Sequence, residues 1–256
     1  MACGEAANSG FLRPIWMRLG MEAWLLVVVV MAVLVAARFY AVFGPASARW
    51  LFLAQVGVMW LLPAIFLTAG GRRAIGLRGA RGGVGAIALC GAIGAMAGLA
   101  LFAISMNLHG TPADNWIASV RAQMQLDAMR KAMGPAGILA MLAVPVLVLM
   151  PVGEEILFRG VLQQAIAMRW NWAVGMAVNG LAFGLVHLHV YGLTCDASGF
   201  HVRWLSGGLF VLAGVALSAL FTLCRMRTGS LFAAMAAHAG CNGAVIAAVV
   251  LVPACS

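Results

Sequence analysis

Long apolar runs, each near the length of a bilayer crossing, alternate with short breaks rich in arginine and glycine. A helical crossing takes about 20 apolar residues. The pattern predicts spans at 22–43, 48–69, 84–107, 136–157 with continuation to about 169, 171–191, 206–224 and 230–252, seven in all. The runs are continuous rather than alternating, which argues against a membrane β-barrel. Lipid offers no partner to free backbone groups, so an all-α polytopic transmembrane helix bundle follows. Gly44-Pro45-Ala46-Ser47 marks a tight turn between the first two spans, and no internal repeat is visible. We read residues 1–134 as N-terminal membrane spans with an interfacial helix, and 135–256 as the core that carries the chemistry, in one integral domain.

One sizeable segment, 112–133, breaks the apolar pattern. Thr111-Pro112 has the form of an N-cap and first helical residue. Ile117, Val120, Met124 and Ala128 then share a face, with charges elsewhere. The pattern predicts a helix lying in the membrane interface. A connecting helix packed on the bundle fits it equally well.

Composition agrees with the spans and excludes a soluble domain. Of 256 residues 64% are hydrophobic and 9% charged, and the mean hydropathy is +1.02. The net charge of +9 does not indicate nucleic acid, because the arginines sit in short loops, where they set topology and meet anionic lipid. Arg72, Arg73, Arg78 and Arg81 cluster between two spans and place that loop in the cytoplasm. Arg13, Arg18, Arg169, Arg225 and Arg227 fall on the same side. Arg38, Arg49, Arg121, Arg130, Lys131 and Arg203 fall on the other, giving nine against six with Arg159 left out. The six cysteines show no metal or redox spacing, and no disulfide is expected. The first apolar run is long enough to span, so no cleavable signal peptide is expected. The Ala/Gly/Arg-rich composition suggests a bacterial inner membrane.

Only seven acidic residues occur, and two of them, Glu154 and Glu155, lie together inside an apolar span. Such residues are expensive at membrane depth and mark function. On a helix Glu155 and Arg159 are four apart and pair favourably. Glu154 is rotated by about 100° from Glu155 and is left to face a partner or a water, which suits a general base. A buried ion-pair network that only fixes packing explains Glu155 and Arg159, but not Glu154.

Two later spans add polar groups. His187 ends Phe183-Gly184-Leu185-Val186-His187, and His189 lies about 200° further round a continuous helix, too far to share its site easily. His238 and Asn242 are four apart on the last span and face the same way. A polar clasp between helices is the plainer use of such a pair. At 1.5 Å per residue, Glu154 lies ~22 Å from the Arg169 end of its helix and His238 ~16 Å from Arg227, with His187 at similar depth. The three groups fall in one layer.

Glu-Glu-x-x-x-Arg, Phe-x-x-x-His and His-x-x-x-Asn, in this order on successive spans, resemble the CPBP family of intramembrane proteases, which includes type II CAAX prenyl endopeptidases and proteins linked to bacteriocin self-immunity. Arg227-Thr228-Gly229-Ser230-Leu231 is also similar to that family. The resemblance covers roughly 135–250 and implies an endopeptidase acting on a membrane-anchored or apolar peptide. It assigns Glu154 as the base that activates water and His187 as its helper. His238 and Asn242 would hold the oxyanion, with Glu155 and Arg159 in support. A zinc ion on Glu154, His187 and His238 is one form of the site. A metal-free glutamate mechanism uses the same residues. The competing classes are a proton-coupled transporter, which repeats and broken helices in both halves would favour, and a non-enzymatic immunity scaffold. The expected partners are membrane lipid and a peptide or protein substrate.

Overall fold

The computed structural model describes residues 10–108, 115–196 and 199–252. Seven helical segments in it are long and apolar enough to cross a membrane, and they coincide with the seven spans expected. The chain is an integral membrane protein. A short helix α1 (Pro14–Arg18) leads into α2 (Ala23–Phe43). After a single 3₁₀ turn, α3 (Trp50–Phe66) returns antiparallel, and α4 (Ala69–Ala74) opens the arginine-rich loop. Thr68 caps α4 by accepting from the Gly71 N–H at 2.9 Å. The third span is α5 (Gly83–Leu108).

The polar segment forms two helices where one was expected. Asn115 caps α6 (Trp116–Gln123), its side chain accepting from the N–H groups of Ile117 and Ala118. The backbone then turns through Gln125, at φ 51°, before α7 (Leu126–Val144) begins. Ile117 and Val120 are buried against Leu126, Ile138, Leu142, Val249 and Val250. The apolar face of this helix therefore serves the bundle, as in the connecting-helix alternative. Thr111 and Pro112 lie outside the described residues.

From α7 the fourth span continues through α8 (Met150–Glu155) and α9 (Gln163–Arg169), joined by widened turns at Pro145–Leu149 and Ile156–Leu162. The fifth span, α10 (Trp172–Val186), is capped by Asn171. It stops at His187 instead of running on to 191, and a single-turn helix α11 (Leu188–Tyr191) follows. A hairpin of β1 (Leu193–Asp196) and β2 (Gly199–Val202), not foreseen from the apolar pattern, links it to α12 (Trp204–Thr228). The chain turns at Gly229, φ 69°, into α13 (Leu231–Leu251), capped by Ser230.

Small residues set how closely the last span can approach. A β-carbon on Gly94 of α5 would lie 1.8 Å from the Ala237 carbonyl oxygen of α13, and one on Gly240 of α13 would lie 2.1 Å from the Gly91 carbonyl. Apolar burial drives little association when lipid is the solvent, so close backbone contact is the usual source of adhesion. This seam fixes the helix that carries His238. Polar clasps hold other spans: Asn179 donates to Ser218 Oγ at 3.0 Å, and Thr222 to Gln163 at 3.3 Å.

Gly94→Leu should therefore prevent assembly, with loss of the monodisperse detergent-solubilised protein on size-exclusion chromatography. Gly57→Ala, where an added methyl meets nothing within 4 Å, should leave the elution profile unchanged.

Candidate active site

Helix α8 brings Glu154 and Glu155 into the bundle between two regions of π-helical winding. The Met150 N–H reaches back to Pro145 O, and the Gln163 N–H to Phe158 O, five residues in each case. Widened turns of this kind are frequent at functional sites. Pro151 has no N–H, so it cannot supply a five-residue bond to Val146 O. Asn242 Nδ2 approaches that carbonyl instead, at 3.4 Å, and Trp60 Nε1 donates to Leu149 O at 2.9 Å.

Glu155 and Arg159 form the ion pair their spacing implied, Nη1 to Oε1 at 2.9 Å, with both side chains fully buried. The Arg159 guanidinium also lies 4.1 Å from the Phe183 ring centroid and 5.1 Å from that of Phe221. Such faces stabilise a desolvated cation. The same Glu155 oxygen contacts His238 Nδ1 at 2.8 Å, and Phe221 stacks on the His238 ring at 5.0 Å. Because the paired carboxylate can only accept, Nδ1 of His238 carries the proton, which leaves Nε2 turned towards Glu154. The Glu154 Oε2 to His238 Nε2 distance is 3.9 Å.

Glu154 is not left without a cation, contrary to the expectation from its own helix. Arg38 of α2 donates from Nη1 to Glu154 Oε1 at 3.1 Å, and both side chains are buried. Gln55 of α3 accepts from Arg38 Nε at 3.4 Å, and the Phe52 ring centroid lies 5.5 Å from the guanidinium. Neither Arg38 nor Gln55 was picked out from the sequence. Arg38 lies five residues before the end of its span, where an arginine can snorkel to the headgroups, and so it was counted as a topology charge. The signal that could have found it is an arginine within an apolar run, which marks function by default. Arg225 is likewise drawn inwards. It donates to the carbonyls of Arg159 and Ala74, so the loop bias becomes eight against five and keeps its sign.

The end of α10 changes the status of the histidines. His187 Nδ1 donates to Phe183 O at 2.7 Å, which fixes the proton on that nitrogen and leaves Nε2 with a lone pair. The continuous-helix geometry that kept His189 away does not apply, because the helix breaks at His187. The two rings lie with centroids 6.3 Å apart, and buried His189 bonds to Val186 O at 2.5 Å. Both histidines feel the charges of Glu154 and Arg38. Asn242 is half-buried one turn beyond His238, and its amide contact is with Val146 rather than with the carboxylates.

The site thus holds two carboxylates and two guanidiniums in opposed pairs, with imidazoles beside them. Among the described residues, no group of three or more His, Cys, Asp or Glu side chains is placed to hold a metal ion.

Comparison with known families bears on this half of the chain. Residues 136–244 match the Rce1-like family, described as type II CAAX prenyl endopeptidase Rce1-like. The resemblance read from the ordered motifs is borne out. The match takes in Glu154, Glu155, Arg159, His187, His238 and Asn242, and stops short of Arg38 and Gln55. It covers less than half of the chain. No curated protein and no solved structure matches.

Removing one member of a fully buried ion pair costs about 3–5 kcal/mol. Arg159→Leu should accordingly lower the thermal unfolding midpoint sharply in detergent. Arg159→Met combined with Glu155→Gln, which leaves no unpaired charge, should recover most of that loss.

Proposed function

We propose that the chain is an intramembrane endopeptidase that hydrolyses a peptide bond with water activated at Glu154. The observation that carries this reading is the facing pair of Glu154 Oε2 and His238 Nε2 at 3.9 Å, inside a segment matching a CAAX endopeptidase family. That separation is too long for a direct hydrogen bond, and an oxygen about 2.8 Å from each atom fits between them.

Glu154 takes a proton from the attacking water as its oxygen bonds to the scissile carbonyl carbon. The His187 Nε2 lone pair accepts a second hydrogen bond from the same water and orients it. The carbonyl oxygen gains negative charge as its π bond opens. With a second proton taken up from solvent on Nε2 before the attack, His238 donates to it from that atom, while Nδ1 stays on Glu155. Asn242 adds an amide hydrogen that its contact with Val146 does not use. Fixed donors of this kind contribute about 3–4 kcal/mol in a water-poor site. The tetrahedral intermediate collapses as the C–N bond breaks, and Glu154 returns its proton to the departing amine.

The match supports a peptide substrate held at the membrane, with a CAAX-like C-terminus as the first class to examine. The Ala/Gly/Arg-rich composition and the basic loops support a bacterial inner membrane as the setting, with the loop at 70–83 in the cytoplasm.

Purified protein in detergent, incubated with prenylated and unprenylated CAAX-type peptides, tests this reading. Glu154→Gln should lower cleavage by at least about 10³-fold while the folded protein is still recovered. Asn242→Ala should lower kcat by about 10²-fold, in the range of a lost oxyanion donor. Retained cleavage in Glu154→Gln would reject the mechanism. Chelation followed by zinc in the same assay shows whether an ion joins these residues.

A further inference from the structure

We infer that Arg38 is a positioning residue for the reaction, acting through Glu154 from outside the segment that carries the family match. The inference rests on the role proposed above for Glu154. Three observations carry it. Arg38 Nη1 holds Glu154 Oε1 at 3.1 Å while Oε2 faces His238 Nε2 at 3.9 Å, so the cation takes one carboxylate oxygen and aims the other at the imidazole. Arg38 is itself fixed, by Gln55 Oε1 on Nε at 3.4 Å and by the Phe52 ring, so its charge does not wander. Finally, Arg159 already serves Glu155, and no other arginine or lysine among the described residues makes an ion pair with Glu154.

Plain charge neutralisation would be met by any cation near either carboxylate oxygen. The arrangement found is narrower. A guanidinium held by a second residue fixes both the distance and the rotation of the Glu154 carboxylate, which an isolated base on a helix does not have. Effective base catalysis requires that orientation, and a displacement of about 1 Å can cost about 10²-fold in rate. The amide of Gln55 belongs to the same device at one remove.

The test is steady-state cleavage of the best CAAX-type peptide by purified, folded variants. Arg38→Gln should lower kcat by about 10–100-fold with KM within about 2-fold of wild type, because the substrate does not depend on Arg38 for binding. Arg38→Lys, which keeps the charge and loses the fork, should recover part of the loss. An unchanged kcat in folded Arg38→Gln, whatever KM does, overturns the inference. Should Arg38→Gln fail to fold, Gln55→Met carries the test, since it frees Arg38 Nε and leaves both ion pairs in place. A kcat lowered about 3–10-fold at constant KM then supports the inference, and a wild-type kcat overturns it. Glu154→Gln in the same series separates the two levels. If it too stays active, the proposed mechanism fails. If it is inactive while Arg38→Gln is not, only the role of Arg38 fails.

Discussion

The cost of burying charge in an apolar bundle governs this structure. Four ionised side chains, Glu154, Glu155, Arg38 and Arg159, sit where water is scarce, and none is more than 4% exposed. Each is tolerable only because an opposite charge lies within hydrogen-bonding distance. The aromatic faces of Phe183, Phe221 and Phe52 complete the surroundings of the two guanidiniums. Two spans, α2 and the one that contains α8, must dock in one arrangement for these charges to meet, so the polar centre and the packing of those spans are one problem.

Tight adhesion and local irregularity divide the labour around this centre. The glycine seam between α5 and α13 locks the helix of His238 by backbone contact, which tolerates no side chain at Gly94 or Gly240. The span of Glu154 does the opposite and departs from regular winding on both sides of the carboxylates. The Val146 carbonyl, which Pro151 cannot serve, is met by Asn242, and Trp60 donates to the Leu149 carbonyl beside it. A rigid span and a rewound one thus face each other across the site.

Much of this was legible in the residues. Span positions follow from length and hydropathy, and the Glu155–Arg159 pair follows from its spacing of four. The approach of His238 to Glu154 agrees with their similar depths along their helices. What escaped has physical causes. Arg38 acts across 116 residues of chain, and no local periodicity links it to Glu154. His189 was set aside on the geometry of a helix that in fact ends at His187. The hairpin at 193–202 is short and half-polar, and it carries too little alternation to stand out between two long spans. The two-helix form of the 112–133 segment turns on the backbone of a single residue, Gln125.

The distance in sequence between Arg38 and Glu154 has a consequence for biogenesis. Spans enter the bilayer in chain order, so Arg38 arrives well before its counter-ion has been synthesised. It must wait near the headgroups, which its place towards the end of α2 allows. It moves inwards only when the fourth span comes alongside. The carboxylate therefore acquires its final orientation late, when the early spans have closed on the core.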